Sequence, residues 1–161
     1  MNKHLLEARD NIIESAGRTT QGFGLGRIIG QLYALLFFSP CPMSLDDMAE
    51  ELKVSKGSVS TNIRELEKWG AVRQVWVKGD RKDYYEAEVE IFRVLRNGFL
   101  PFFARKLNSS LNAVAESREL ISAGDQSSSE EQKLAEFYSR RLDLVEQAQN
   151  KLSMLLKFPG L

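Results

Sequence analysis

The chain has 161 residues, 43% of them hydrophobic and 27% charged, enough for one domain with a buried core or one domain plus an appendage. Its 22 lysines and arginines are balanced by 22 aspartates and glutamates, so bulk charge gives no sign of a polyanionic partner. One cysteine, Cys41, excludes an internal disulfide framework, and one histidine, His4, leaves no zinc-ligating set, so no metal or cofactor is expected.

The N-terminal stretch MNKHLLEARDNIIES is charged and amphipathic, without the continuous apolar core of a signal peptide. The longest apolar run, residues 32–38, is far too short to cross a bilayer, so a cytoplasmic protein without membrane contact is expected. Residues 2–16 suit a helix with Leu5, Leu6, Ile12 and Ile13 on a loose stripe. Gly17 is predicted to end it, and GRTTQGFG reads as a loop. That helix is too weakly apolar to stand alone and must pack on the chain or on a partner. Residues 25–39 carry a thicker stripe, with Leu25, Ile28, Ile29, Leu32, Leu35 and Leu36 widened by Tyr33, Phe37 and Phe38, and Pro40 and Pro42 stop it. Cys41 reads as a small apolar residue of that turn; a redox-sensing thiol would lack both a resolving cysteine and an adjacent base.

Ser44 is placed to cap a short helix, SLDDMAEELKV, with Asp47 at the capping-box position and Asp46 also in the first turn. Leu45, Met48, Ala49 and Leu52 form its inner face. After a tight turn at Val54, Ser55 caps a second helix over SKGSVSTNIRELEKWG, with Val59, Ile63 and Leu66 as one narrow stripe. Opposite that stripe project Gly57, Thr61, Arg64 and Lys68, with Lys56 and Ser60 at the edge and Ser58 on the other flank. The first two turns therefore offer small hydroxyls, one glycine and bases, and no carboxylate. Such a surface suits close approach to a polyanion, and the free N–H groups of the helix start favour phosphate. Two short capped helices joined by a tight turn are a helix-turn-helix, with the second as recognition helix.

After Gly70 the period changes. AVRQVWV alternates imperfectly, KGDRKD is a basic turn and YYEAEV is a second strand, so a β-hairpin with a basic tip follows the helix-turn-helix. That is a winged helix. From Lys53 to Lys82 there are eight bases against three acids, a local basic footprint on a neutral chain. Lys56, Ser58, Ser60, Thr61 and Arg64 are expected to face the major groove, with Gly57 permitting close backbone approach. Lys78, Arg81 and Lys82 are expected to hold the wing to DNA, with Asp80 or Asp83 orienting an arginine. The alternative for each is a solvated charged face.

Residues 90–122 are helical in pattern, but Asn97, Gly98 and Pro101 lie close together and predict a break or sharp kink. Leu107, Leu111, Val114, Ala115 and Ile121 form the stripe after it, and AGDQSSS is an exposed linker. Residues 130–158 form the last helix, with Leu134, Phe137, Tyr138, Leu142, Val145, Ala148, Leu152, Leu155 and Leu156 on one face. These two helices are long for the winged helix to bury, which favours a homodimer over a hairpin folded back on the N-terminal helices. The fold class is mainly α with a small β-hairpin wing: a DNA-binding region over residues 1–90 and a helical dimerisation region over residues 91–161.

On these residues the chain resembles the MarR-type winged helix-turn-helix regulators, and more closely their GbsR-like branch. GRIIGQLYALLFFS, LDDMAEELKVSKGSVSTNIRELEKWGAV and GDRKDYYEAE, in that order, carry the resemblance, which runs from about Gly26 to Glu88. The C-terminal helices fit by length and pattern only. The resemblance implies a homodimeric transcription factor on a pseudo-palindromic double-stranded DNA operator, usually a repressor, with a possible small-molecule effector. Members of the branch are associated with choline and glycine-betaine metabolism, which does not transfer to this chain by itself. A quaternary ammonium would need an aromatic cage, for which Trp69, Phe92, Phe99, Phe102 and Phe103 are candidate rings, unless they are simply core.

An enzyme is not expected: the chain has no nucleophile–base pair and no phosphate-cradling glycine loop. The competing reading is a winged helix used as a protein-interaction module, its basic wing docking an acidic partner.

Overall fold

The computed structural model describes residues 3–124 and 127–157. Asn2 and Phe158, at the outer ends of the predicted first and last helices, and Asp125 and Gln126 of the predicted linker lie outside the described residues. The chain divides into two compact units, Met1–Phe99 and Leu100–Leu161. No described helix is long and apolar enough to cross a membrane.

In the first unit, helix α1 (Lys3–Gly22) runs past Gly17 and through the threonines that composition assigned to a loop. The reason is packing. A Cβ on Gly17 would lie 2.7 Å from Gln31 Cγ, and one on Gly30 would collide with the Ala16 carbonyl and the Thr20 hydroxyl. The two glycines let α1 and α2 (Arg27–Phe37) cross at close range, so Gly17 is a contact residue and not a terminator. Thr19 and Thr20 bond back to the carbonyls of Ser15 and Ala16, which keeps their hydroxyls satisfied inside the helix.

The strand β1 (Met43–Ser44) follows, then α3 (Leu45–Leu52) and α4 (Lys56–Lys68). The predicted capping box at Ser44 and Asp47 is present in both directions. Lys53 takes the left-handed conformation at φ 55°, which makes the tight turn between the helices. The hairpin consists of β2 (Val72–Val75) and β3 (Tyr84–Ala87), with Val75 opposite Tyr84 and Val72 opposite Ala87. Sequence periodicity missed β1, whose two residues pair with Tyr85 and Tyr84 and make β3 the central strand. The core is Leu32, Leu35, Met48, Val59 and Ile63, each under 2% exposed.

Near Gly98, where the sequence predicts a break or sharp kink, the ordinary helical ladder is interrupted by a π-helical turn. Helix α5 (Ile91–Val94) passes into a π-helical turn, Leu95–Phe99, which leads into α6 (Leu100–Ala123). Wide turns of this kind absorb residues that disturb the ordinary helical ladder. Gly98 is buried, because a Cβ there would sit 2.6 Å from Trp69 Cβ.

The second unit is an antiparallel hairpin of α6 and α7 (Ser129–Lys157). Arg118 donates to Asp143 and Glu146 at 2.5 and 2.9 Å, and Gln149 donates to Ser110 at 2.6 Å. The sheltered positions of α7 are Ala135, Ser139, Leu142, Glu146, Gln149, Ser153 and Leu156, a heptad spacing. The predicted stripe is thereby split. Leu142 and Leu156 lie on the sheltered face, whereas Leu134, Phe137, Val145, Leu152 and Leu155 are exposed.

Candidate nucleic-acid interface

Helix α4 is anchored by Val59, Ile63 and Leu66, which are 0, 1 and 2% exposed, so its opposite face is fixed outward. Lys56, Gly57, Thr61 and Arg64 are exposed there, and Ser58 and Ser60 are half-buried on the flanks. The Ser55 hydroxyl accepts from the Ser58 N–H at 3.2 Å and starts the helix. Thr61 donates its hydroxyl proton to the Gly57 carbonyl at 3.0 Å, which leaves its oxygen lone pairs to accept from outside. Nothing lies within 4 Å of a Cβ built on Gly57, so no packing requires glycine in this first turn.

On the wing, Lys78, Arg81 and Lys82 are all exposed. Asp80 closes the tip: it accepts from the Lys82 N–H at 3.0 Å and from the Tyr84 hydroxyl at 2.8 Å. The Lys82 N–H, then Tyr84, hold its carboxyl below the usual carboxylate range. Asp83 accepts from Gln74 at 2.5 Å. The bonds of these two aspartates thus shape the hairpin, in place of the arginine-orienting role expected of one of them. Trp76 is 80% exposed and shares a shallow concavity with Arg81 and Lys82.

Helix and wing meet at Asp46, in the first turn of α3. Its carboxylate lies 2.8 Å from Lys56 Nζ and 3.7 Å from Lys82 Nζ. Among the described residues, Arg64, Lys78 and Arg81 have no ion pair.

Behind α4 the first unit has a half-open cavity of about 450 Å³. Its wall includes Ile12 of α1, Ile29 and Tyr33 of α2, Leu66 and Trp69 at the end of α4, and Phe99. No lining side chain is ionic. Trp69 Nε1 donates to Glu65 at 3.1 Å, and Phe99 meets Phe23 edge-on at 5.1 Å between ring centroids. The Tyr33 hydroxyl donates to the Glu88 carbonyl at 2.7 Å, and burial, then the Glu88 carboxylate, push its pKa up to about 12. Of the candidate cage rings, Trp69 and Phe99 come together on this wall, whereas Phe92 is 76% exposed. Phe102 and Phe103 belong to the second unit, where Lys106 Nζ lies 5.6 Å from the Phe102 centroid.

No protein-family model matches the chain. It is 33% identical over 112 residues to the HTH-type transcriptional repressor GbsR of Bacillus subtilis (strain 168), covering 70% of this chain and 62% of GbsR. The putative HTH-type transcriptional regulator YvaV of the same organism is 25% identical over 152 residues, 94% of this chain and 77% of YvaV. The chain is similar to these HTH-type regulators and spans about three fifths of the length of GbsR. A crystal structure of a transcriptional regulator agrees in fold, with a TM-score of 0.54 at 22% identity over 91% of this chain and 99% of that one.

Sequence reasoning missed two features. Asp46 reads in sequence as a helix-dipole residue, because its spacing to Lys56 and Lys82 follows no secondary-structure period. Tyr33 reads as core, and only the long-range bond to Glu88 reveals it as an oriented polar group on a cavity wall.

Proposed function

We propose that this chain is a homodimeric, sequence-specific DNA-binding transcriptional regulator, acting as a repressor on a pseudo-palindromic operator. The observation that carries the reading is the two-faced α4: three buried anchors behind, and a carboxylate-free first half of lysine, glycine, hydroxyls and arginine in front. Gly57 adds weight. Glycine costs about 1 kcal/mol relative to alanine within a helix, and no internal contact calls for it. Close approach of a phosphate or base edge accounts for it. Lys56, Ser58, Ser60, Thr61 and Arg64 read the major groove, and Lys78, Arg81 and Lys82 hold the wing by charge. The exposed stripe of α7 supports the second subunit that two half-sites require.

The cavity behind α4 is the seat of the effector. Trp69 and Leu66 are both the end of α4 and part of its wall, so a ligand there pushes directly on the reading helix. Trp69, Phe99 and Tyr33 supply the rings for a quaternary ammonium.

Fluorescence anisotropy of the pure protein against its own upstream DNA and a scrambled duplex, across a salt series, tests the reading. The expected result is tight binding to the upstream duplex alone, with two subunits per site. Arg64→Ala should cost about 1–3 kcal/mol on that duplex and little on the scrambled one. Equal, weak binding of the unaltered protein to both duplexes would overturn the assignment.

A further inference from the structure

We propose that Asp46 sets the specificity of this interface: it bridges a recognition-helix lysine and a wing lysine, and so weakens binding to DNA of arbitrary sequence. The inference rests on the DNA-reading proposal above. Its basis is the geometry of three elements. Asp46 opens α3, Lys56 opens α4, and Lys82 closes the wing tip, yet one carboxylate reaches both lysines, at 2.8 and 3.7 Å.

Local structure does not call for Asp46. The capping box of α3 is made by Asp47, which also keeps a negative charge in the first turn. All three side chains are about half-exposed, and exposed ion pairs contribute little to stability. Lys56, and next to it Lys82, hold the Asp46 carboxyl below the usual carboxylate range, so it is charged at neutral pH. A charged carboxylate between two phosphate-seeking lysines opposes DNA, because each lysine must exchange it for a phosphate and the carboxylate then faces the polyanion.

That opposition falls unequally. Binding to arbitrary DNA is almost wholly electrostatic and bears the full cost. An operator complex is held as well by base contacts from Lys56, Arg64 and the hydroxyls, so it forms with Lys82 still on Asp46 and bears less of that cost. The carboxylate therefore widens the gap between the two affinities.

The test measures anisotropy of the full chain and of Asp46→Asn on two duplexes, one of random sequence and one selected from a random pool by the unaltered protein. Salt runs from about 50 to 300 mM. Asp46→Asn should bind the random duplex about three- to tenfold more tightly, with the log–log salt slope steeper by about one. The selected duplex should gain less, so the ratio narrows. In a background with Lys56 and Lys82 both replaced by methionine, Asp46→Asn should give no gain over the same background with Asp46 intact, whereas a merely structural effect of the substitution would persist there. An unchanged random-duplex affinity and slope, or a gain that survives loss of both lysines, would overturn the proposal. If the unaltered protein binds no duplex, the DNA-reading proposal falls, and this inference with it.

Discussion

The first unit has a deep apolar core: Leu32, Leu35 and Met48 are 0, 1 and 0% exposed. The second has little of one. Only Val114 and Gln149 are buried along its two helices, while Leu134, Val145 and Leu155 are 50, 43 and 67% exposed. Helix α7 carries two heptad stripes one residue apart. The sheltered one runs through Ala135, Ser139, Leu142, Glu146, Gln149, Ser153 and Leu156, and the exposed one carries Leu134, Tyr138, Val145, Leu152 and Leu155. An amphipathic helix gives its apolar face to the largest apolar surface on offer. The core of the first unit is supplied by its own chain, whereas the exposed apolar stripe of α7 is the surface that the proposed second subunit would cover.

The comparison breaks most readily at Val145. A charge there costs a lone hairpin about 0.5 kcal/mol at most, since the position is open. Between two α7 stripes it would be buried without a partner, and Val145→Glu should convert the dimer to monomer in sedimentation velocity. An unchanged sedimenting mass would mean that the exposed stripe is not the dimer contact.

The matching test in the first unit is Leu32→Ala. A fully buried leucine truncated to alanine leaves a cavity, and the expected loss is about 2–5 kcal/mol in urea unfolding. The loss should not depend on protein concentration, because the core around Leu32 belongs to one chain. A strong concentration dependence would erase the distinction between the units.

The winged helix was legible in sequence because its signals are local. Ser44 with Asp47, Ser55 with the Val59–Ile63–Leu66 spacing, and the alternation after Gly70 each lie within one element. What escaped depends on partners distant in sequence. Gly17 terminates a helix by local rules but here admits Gln31, and Gly98, where local rules predict a break, also admits Trp69. Strand β1 is two residues long and exists only through Tyr84 and Tyr85. At the candidate site, periodicity alone separated the outward face of α4 from its anchors. The Asp46 bridge joins three elements and the cavity wall more, and no single window of sequence contains either.

The smallest expected effect compares one device in both units. Ser44 with Asp47 caps α3, and Ser128 with Glu131 caps α7 with the same reciprocal bonds. Asp47 is held below the usual carboxylate range by the Ser44 hydroxyl, then by the Ser44 N–H; Glu131 is lowered likewise by the Ser128 hydroxyl and N–H. Because each folded value lies below the unfolded one, about 3.9 for Asp and 4.3 for Glu, the stabilisation is fully present above pH 5. It is lost as pH falls through the folded pKa. Asp47→Asn should therefore lower the thermal midpoint at pH 7, and its curve should converge on that of the unaltered protein below pH 4. Glu131→Gln should show the same convergence, but, if α7 packs in the proposed dimer, with a midpoint difference that varies with protein concentration. For Asp47→Asn the difference should be the same at every concentration. Matching concentration behaviour in the two variants would show that both units fold and assemble as one.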